Sequence, residues 1–210
     1  MCSHYESVRD PKRLLHYFGT QLPLDIRFDV WPTYTSTFII HPGESESGDK
    51  SVPDFQALTG QFGLIPHWAK DTTFGRRTFN ARSETVAEKP SFMDAWRNKQ
   101  RCIIPAEAIY EPNWRRGKSI PTRITRKDGE PMGIAGLWST WGKERLYSFT
   151  MLTINADDHP LMNQFHKPGT EKRMIVILPK ASYRDWLTPL NHDAMTHLRQ
   201  YPADKLITQP

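Results

Sequence analysis

MGIAGLWSTWGKERLYSFTMLTI, residues 132–154, contains two β-rich runs, Met132–Trp138 and Leu146–Ile154, separated by a polar segment. The other predicted strands lie at residues 34–41, 102–104, 121–126 and 173–178. Strands therefore outnumber helices, and no long helical crossovers alternate with them as a doubly wound parallel sheet requires. The sequence predicts an α+β protein with a mostly antiparallel sheet.

The predicted helices are short and lie outside these runs. Asp10 is the expected N-cap of an amphipathic helix over 11–18, which has Pro11 at its first position and ends at Gly19. Ser91 is expected to cap a second helix that presents Trp96 on its apolar face.

The ends of the chain and one polar stretch complete the predicted organisation. Two more short helices are expected at 181–187 and 192–199, and the acidic, Ser/Gly-rich stretch 42–53 is predicted to be a surface loop. The chain shows no internal repeat and no linker. Residues 1–210 are therefore expected to form one domain.

Composition excludes several classes of protein. No apolar run approaches the roughly 18 residues of a membrane-spanning helix, and the polar N-terminus lacks the apolar stretch of a signal peptide. Cys2 and Cys102 do not make a disulfide framework, which favours a reducing cytoplasm. The eight histidines are scattered without metal-ligand spacing, and no glycine-rich phosphate motif is present. We expect no metal, no other cofactor and no membrane partner.

Charge is concentrated in the middle of the chain. Residues 70–127 carry 14 Lys/Arg against 6 Asp/Glu, whereas the rest of the chain has 14 basic and 17 acidic residues. The aromatic residues of this basic segment are Phe74, Phe79, Trp96, Tyr110 and Trp114. Such a segment can follow a phosphate backbone while its rings stack on bases. A solvated basic face is the other interpretation, and charge alone does not separate the two.

Cys2 has unusual chemistry available because of its position. Removal of Met1, which a small second residue favours, would leave the Cys2 α-amine and thiol on adjacent carbons. An α-amine has an ordinary pKa of about 7.7–8.0, so a useful fraction is nucleophilic near neutral pH. Such an aminothiol condenses with an aldehyde to a Schiff base, and sulfur then adds to the same carbon to close a thiazolidine ring. A chance cysteine at this position is the alternative.

Further motifs follow Cys2 in a characteristic order. They are GLIPHWA at 63–69, FNARSET at 79–85, RCIIPA at 101–106 leading to Tyr110-Glu111, GLW at 136–138, and His166 before KRMIVILP at 172–179. In this order and spacing, and over nearly the whole chain, they resemble the SOS response-associated peptidase (SRAP) family. The resemblance implies a barrel-like core with short peripheral helices, in a protein that acts as a monomer.

The resemblance also implies a function in the DNA-damage response. Family members detect abasic sites in single-stranded DNA and capture the sugar aldehyde through the N-terminal cysteine as a stable DNA–protein crosslink. They have also been described as cysteine peptidases that remove the residue before that cysteine. The expected partner here is single-stranded DNA that contains abasic sites.

Four residues match the family's catalytic positions: Cys2, Asn80, Glu111 and His166. Asn80 is expected to fix the nucleophile, Glu111 to exchange protons during imine formation, and His166 to donate the proton that opens the sugar ring. Each has an ordinary alternative. Asn80 could be a turn residue, Glu111 a strand-end carboxylate paired with a nearby arginine (Arg115 or Arg116), and His166 a surface-loop histidine.

Arg82 and Trp68 match DNA-contacting positions of the family. The forked donors of Arg82 suit a phosphate oxygen, although an ion pair with Glu84 or Glu88 is the alternative. Trp68 could stack against an unstacked base or pack in the core. The chain departs from the family's common pattern where Ser3-His4-Tyr5 replaces Gly-Arg-Phe and where a proline follows Glu111, which leaves the details of DNA contact open.

Two other functions compete with crosslinking. A thiol peptidase would use Cys2 as its nucleophile and His166 as its base. A binding module without chemistry would use only the basic, aromatic surface on single-stranded DNA. Retention of Met1 would favour the binding module, because the α-amine needed for crosslinking would then be blocked.

Overall fold

Twelve strands and three short α-helices make up the part of the chain that the computed structural model describes, residues 2–42, 54–115, 117–188 and 194–209. The strands are β1 His4–Ser7, β2 Asp29–Val30, β3 Thr35–Ile40, β4 Gln56–Phe62, β5 Asn80–Arg82, β6 Arg101–Arg115, β7 Lys118–Arg126, β8 Met132–Trp141, β9 Leu146–Asn155, β10 Arg173–Ile175, β11 Ile177–Leu178 and β12 Leu206–Gln209. The helices are α1 Pro11–Phe18, α2 Met93–Arg97 and α3 Tyr183–Leu187.

Five strands close into a barrel. Each of β8, β9, β4, β3 and β6 pairs with the next, and β6 pairs back onto β8 to complete the ring. Among the described pairings only β4–β9 and β5–β9 are parallel. The expected mostly antiparallel α+β fold with a barrel-like core and peripheral helices is confirmed.

The residues of β8 show why this segment lies inside the fold. Residues 132–137 are all buried, as a continuous apolar run predicts for a strand covered on both faces. A side chain at Gly136 would meet the Thr150 carbonyl oxygen at 2.5 Å and the Ile104 side chain at 2.3 Å. Only glycine lets strands β6, β8 and β9 approach this closely.

Helix α1 begins and ends as its sequence predicts. The Asp10 carboxylate accepts hydrogen bonds from the backbone N–H groups of Lys12 and Arg13, and Gly19 adopts a left-handed φ of 69°. The prediction for the second helix is wrong in its cap. Phe92, not Ser91, stands at the N-cap of α2, and no side chain caps the helix, because the phenylalanine side chain has no oxygen that could accept from the backbone N–H groups.

The sequence prediction missed five strands, namely β1, β2, β4, β5 and β12. Among the predicted strands the largest difference is in β6, which continues far beyond the predicted 102–104. It runs through two prolines, Pro105 and Pro112, which usually mark the end of a strand. The predicted run 173–178 is divided into β10 and β11, which pair with β9 and β8 respectively. Most of the predicted 42–53 loop, and the first residues of the predicted 192–199 helix, lie outside the described residues.

Candidate active site

Cys2 is buried at the end of a strand that joins the barrel wall. Strand β1 pairs antiparallel with β6, with His4 opposite Tyr110, so the chain before His4 runs towards the Glu111 part of β6. The Cys2 thiol is fully buried and donates to the His4 carbonyl at 3.4 Å. Burial, and secondarily the nearby Glu111 charge, raises the pKa of this thiol well above its ordinary range. Met1 lies outside the described residues, so its removal stays a prediction.

Asn80 holds the Cys2 backbone from the opposite side. It begins β5, which pairs in parallel with β9 at Met151. Its Nδ2 donates to the Cys2 carbonyl at 3.1 Å and to the Phe79 carbonyl at 2.8 Å. Its Oδ1 is buried and accepts no hydrogen bond from the described part of the chain. Asn80 is therefore a strand residue rather than a turn residue, and it keeps one acceptor for a substrate.

Glu111 lies within β6 rather than at its end. It pairs across the sheet with Thr122 of β7, and its side chain is fully buried. The strand-end alternative is therefore wrong, since β6 continues four residues further to Arg115. Burial disfavours the ionised carboxylate and raises the pKa of Glu111 to about 7. Both protonation states are therefore populated near neutral pH.

His166 is buried beside Glu111. Its backbone N–H donates to the Pro112 carbonyl at 2.8 Å, and its φ of 62° is in the left-handed region, where a non-glycine residue is strained. Its Nε2 lies 2.9 Å from the Arg173 carbonyl and 3.5 Å from Glu111 Oε2. Burial, with the charge of Lys172, lowers the pKa of His166 to about 4. The surface-loop alternative is wrong.

The hydrogen bond of the His166 ring to the Arg173 carbonyl defines the tautomer of the ring. A carbonyl oxygen can only accept, so Nε2 carries the proton in the bond to Arg173. With the ring neutral, Nδ1 keeps a lone pair. The cluster therefore combines a base, His166, with Glu111, which can hold a proton at the same pH.

These four residues, which we call the buried cluster, come from distant parts of the chain. Cys2 precedes β1, Asn80 begins β5, Glu111 lies in β6 and His166 is in the segment before β10. Direct contacts join Asn80 to Cys2 and His166 to Glu111. The arrangement places a nucleophile near two titratable side chains that can move protons.

Arg82 and Trp68 lie at the surface, outside these contacts. Arg82 ends β5, its side chain is 51% exposed, and it forms an ion pair with Glu171 rather than with Glu84 or Glu88. Trp68 is 46% exposed, and its indole N–H donates to the Pro90 carbonyl at 3.4 Å. Packing of Trp68 in the core is therefore wrong, and both side chains are open to a ligand.

Arg173 was missed in the sequence and supports the cluster. Its buried guanidinium bonds both carboxylate oxygens of Glu84, at 2.9 and 2.8 Å, and also Glu171 at 2.7 Å. Its own carbonyl accepts from His166. One signal was available: a charged residue begins the otherwise apolar run RMIVIL, and a buried charge needs partners.

Two kinds of feature are absent from the part of the chain that the structure describes. Within residues 2–42, 54–115, 117–188 and 194–209, no group of three or more His, Cys, Asp or Glu side chains is placed to hold a metal ion. In the same residues no helix has the length and apolar character needed to cross a membrane.

Comparison with family models and curated proteins identifies relatives. The model of the SOS response associated peptidase (SRAP) family matches residues 1–210. Abasic site processing protein YoqW of Bacillus subtilis is 39% identical over 155 residues, which cover 70% of this chain and 65% of that protein. Abasic site processing protein YMR114C of Saccharomyces cerevisiae is 34% identical over 127 residues, covering 57% of this chain and 34% of that protein. The chain thus spans just under two thirds of the Bacillus relative.

Solved structures give the same fold. A crystal structure of a Bordetella bronchiseptica protein has a TM-score of 0.89 at 45% identity and covers 99% of this chain and 98% of its own. One from Bacteroides thetaiotaomicron has a TM-score of 0.79 at 24% identity, covering 99% and 90%. The second shows likeness of fold alone.

Proposed function

Because this chain belongs to the SOS response-associated peptidase family, we propose that it captures abasic sites in single-stranded DNA as a covalent crosslink through Cys2. The observation that carries the proposal is the contact of Asn80 with the Cys2 carbonyl, beside the 3.5 Å pair of Glu111 and His166. A nucleophile, an acid and a base are present together in one buried cluster. The abasic-site relatives support DNA of this kind as the substrate.

The proposed reaction begins once Met1 has been removed. An abasic sugar is a cyclic hemiacetal, and opening it requires loss of the C1′ hydroxyl proton and protonation of the ring oxygen. The Cys2 amine then adds to the C1′ aldehyde, and the resulting carbinolamine loses water to give an imine. The Cys2 sulfur adds to the same carbon while its proton moves to the nitrogen. One water leaves overall, and no oxidant or reductant is needed.

The two titratable residues of the buried cluster divide the proton transfers. Glu111, with a pKa of about 7, holds a proton in part of the molecules at neutral pH and can donate it to the sugar ring oxygen or the leaving water. His166, with a pKa of about 4, is neutral at that pH and can accept a proton at Nδ1. The donor role expected for His166 in ring opening therefore passes to Glu111 in this proposal.

Crosslinking fits the state of the Cys2 thiol better than peptide cleavage does. A thiol peptidase attacks with a thiolate, and burial raises the pKa of this thiol. In the crosslinking reaction the amine attacks first, so the sulfur meets an activated imine at the same carbon. We also propose that residues 1–210 act as one domain, since β1 and β12, near the two ends, both join the central sheet.

The test uses Met1-processed protein, verified by intact mass, and a single-stranded oligonucleotide with one abasic site. We expect an adduct that resists heat and SDS, with the mass of protein plus DNA less one water. Cys2→Ala should abolish it, because the ring needs sulfur, although borohydride can still trap an amine adduct. Cys102→Ala is the matched control, since Cys102 is also buried but its nitrogen lies in a peptide bond.

The outcomes are distinct. Loss of the adduct in the Cys2 variant and its retention in the Cys102 variant support the proposal. An equally stable adduct from Cys2→Ala without reductant would show that the nucleophile is wrong. If processed wild-type protein binds the oligonucleotide but forms no adduct, the protein is a binding module instead.

A further inference from the structure

Three aromatic rings stack beside the buried cluster. The His4 ring lies between Trp31 and Tyr110, with both centroid distances at 4.1 Å and interplanar angles of 13° and 11°. The Cys2 thiol donates to the His4 carbonyl at 3.4 Å, which places the stack next to Cys2. Tyr110 directly precedes Glu111 in β6, so its ring lies on the opposite face of the strand from the Glu111 side chain. The stack therefore runs from Tyr110 in β6 through His4 in β1 to Trp31.

Polar contacts at the ring edges hold the stack in place without a ligand. The His4 Nε2 donates to the Asp29 carboxylate, and the Tyr110 hydroxyl donates to Glu6. Both carboxylate oxygens of Glu6 are in turn held by Arg123, at 2.9 and 2.7 Å. A ring fixed in this way loses little further freedom when another ring stacks on it.

A strained turn keeps Trp31 at the surface. The Tyr34 N–H donates to the Trp31 carbonyl at 3.0 Å, and Thr33 between them has a φ of 77°. A β-branched residue rarely adopts this conformation, and such strain is concentrated at functional sites. Trp31 is nevertheless 41% exposed, although one of its faces is covered by His4.

We propose that the open face of Trp31 is a stacking platform for the base of the nucleotide next to the abasic site. The proposal rests on the proposed function, since it places the neighbouring nucleotide where Cys2 holds the abasic sugar. The Trp31 ring already stacks in parallel on His4 with one face. A base could stack in the same way on the other face of Trp31. An abasic site lacks its base, so each neighbouring base has no stacking partner on the side that faces the site.

A nearby cation fits the same occupant. Arg27 is exposed and its guanidinium lies 5.2 Å from the ring centroid of Tyr34, which ends the Trp31 turn. A phosphate linked to the stacked nucleotide would find a fixed positive charge there. This combination of an aromatic face and a cation selects a nucleic-acid strand over an apolar peptide.

The test is a cycle of protein and DNA changes. Oligonucleotides carry a non-reactive tetrahydrofuran abasic analogue whose neighbour, on the 5′ or the 3′ side, is either adenine or a spacer without a base. Equilibrium binding of wild type should weaken roughly tenfold when adenine on one side is replaced by the spacer. Trp31→Ala should abolish that difference, and Trp31→Phe should restore part of it.

A purely structural role for Trp31 gives a different result. In that case Trp31→Ala weakens binding of the adenine oligonucleotide and of the spacer oligonucleotide by the same factor, or changes neither. Either result would contradict the proposal that Trp31 stacks on a base. Leu24→Ala, a change of another highly exposed apolar side chain, should leave the base dependence intact. Binding of the analogue does not depend on crosslinking, so failure of the proposed function appears separately, as absence of adduct on reactive abasic DNA.

Discussion

The buried cluster and the surface pair of Arg82 and Trp68 meet opposite physical conditions. In the cluster, burial moves the pKa of Glu111 up to about 7 and that of His166 down to about 4. At the surface, Arg82 is half-exposed and already neutralised by Glu171. Burial gives the first region control over protons, whereas exposure gives the second region access to a polymer. We therefore expect changes in the cluster to affect rate and changes at the surface to affect affinity.

Glu111→Gln gives the largest expected effect. The variant keeps the shape and hydrogen-bonding capacity of the side chain but removes the titrating group, so single-turnover crosslinking should slow on the order of 10²–10⁴-fold. Affinity for single-stranded DNA should stay within twofold. His166→Ala should slow the reaction by a similar factor, because it removes the base that accepts a proton at Nδ1.

Glu107→Gln is the matched control for this experiment. Glu107 lies in the same strand, half-buried, and pairs with Arg13 at 2.8 Å, away from the cluster contacts. Its substitution should leave the crosslinking rate unchanged. Equal losses of rate and affinity in Glu111→Gln would move that residue from the catalytic to the binding set.

The stability of the protein should depend on pH through the same two residues. The pKa of Glu111 is raised from 4.5 to about 7. Glu111 therefore contributes fully to the free energy of unfolding below pH 4.5, and this contribution of about 3 kcal/mol is lost as the pH rises through 7. The pKa of His166 is lowered from 6.5 to about 4, so its contribution is present above pH 6.5 and is lost as pH falls through 4.

Urea unfolding of wild type and Glu111→Gln at several pH values between about 5 and 8 measures the first effect. Wild type should lose stability relative to Glu111→Gln as the pH rises, because only wild type has a buried carboxyl group to ionise. A constant difference across this range would show that Glu111 titrates normally and that its burial does not control its proton.

Asn80→Ala should have an intermediate effect on rate. It removes the hydrogen bond that holds the Cys2 carbonyl, and loss of such a bond costs about 1–3 kcal/mol when the partner is buried. We expect crosslinking to slow roughly tenfold, with little change in affinity. Asn80→Asp tests the donor directly, since it keeps the size of the side chain but loses Nδ2. Unchanged rates in both variants would remove Asn80 from the catalytic set.

Arg82→Ala should give the smallest effect and only on affinity. It should weaken binding to all sequences about equally and reduce the salt slope by about 1, as loss of one phosphate contact does. Glu171→Gln is its counterpart, because it removes the ion pair of Arg82 and should strengthen binding a few-fold at low salt. It also removes the ion pair of Glu171 with Arg173, so the readout of this variant is affinity and not rate. A flat salt response in wild type, or an effect of Arg82→Ala confined to one base sequence, would contradict a backbone contact.

Local signals in the sequence were enough for α1 and for the barrel strands β8 and β9. A carboxylate cap, a first-turn proline and a glycine end define α1 whatever surrounds it. Long apolar runs define β8 and β9 in the same local way. In contrast, β5 has only three residues and is a strand because β9 pairs with it. A strand of three residues is too short to show the alternating pattern from which strands are predicted.

The candidate site was only partly predictable for a similar reason. Resemblance to a family indicated the four cluster residues, and the structure adds how they meet. The pairing of Arg82 with Glu171 joins residues 89 apart in sequence. Arg173 is only seven residues from His166, but no local motif shows that its carbonyl accepts from the His166 ring. Trp31 carried no signal, since a lone tryptophan near a proline is common in loops.

Strand β6 has a consequence for how the protein folds. It pairs with β1 across a sequence separation of about 100 residues, as the bond between Glu6 and Tyr110, 104 residues apart, illustrates. Such long-range pairings form late, because the entropy of closing a large loop must be overcome first. During synthesis the N-terminal segment therefore waits until β6, which ends at Arg115, has emerged. The cluster also needs His166, so we expect catalysed capture of abasic sites to begin only once that residue has folded against Glu111.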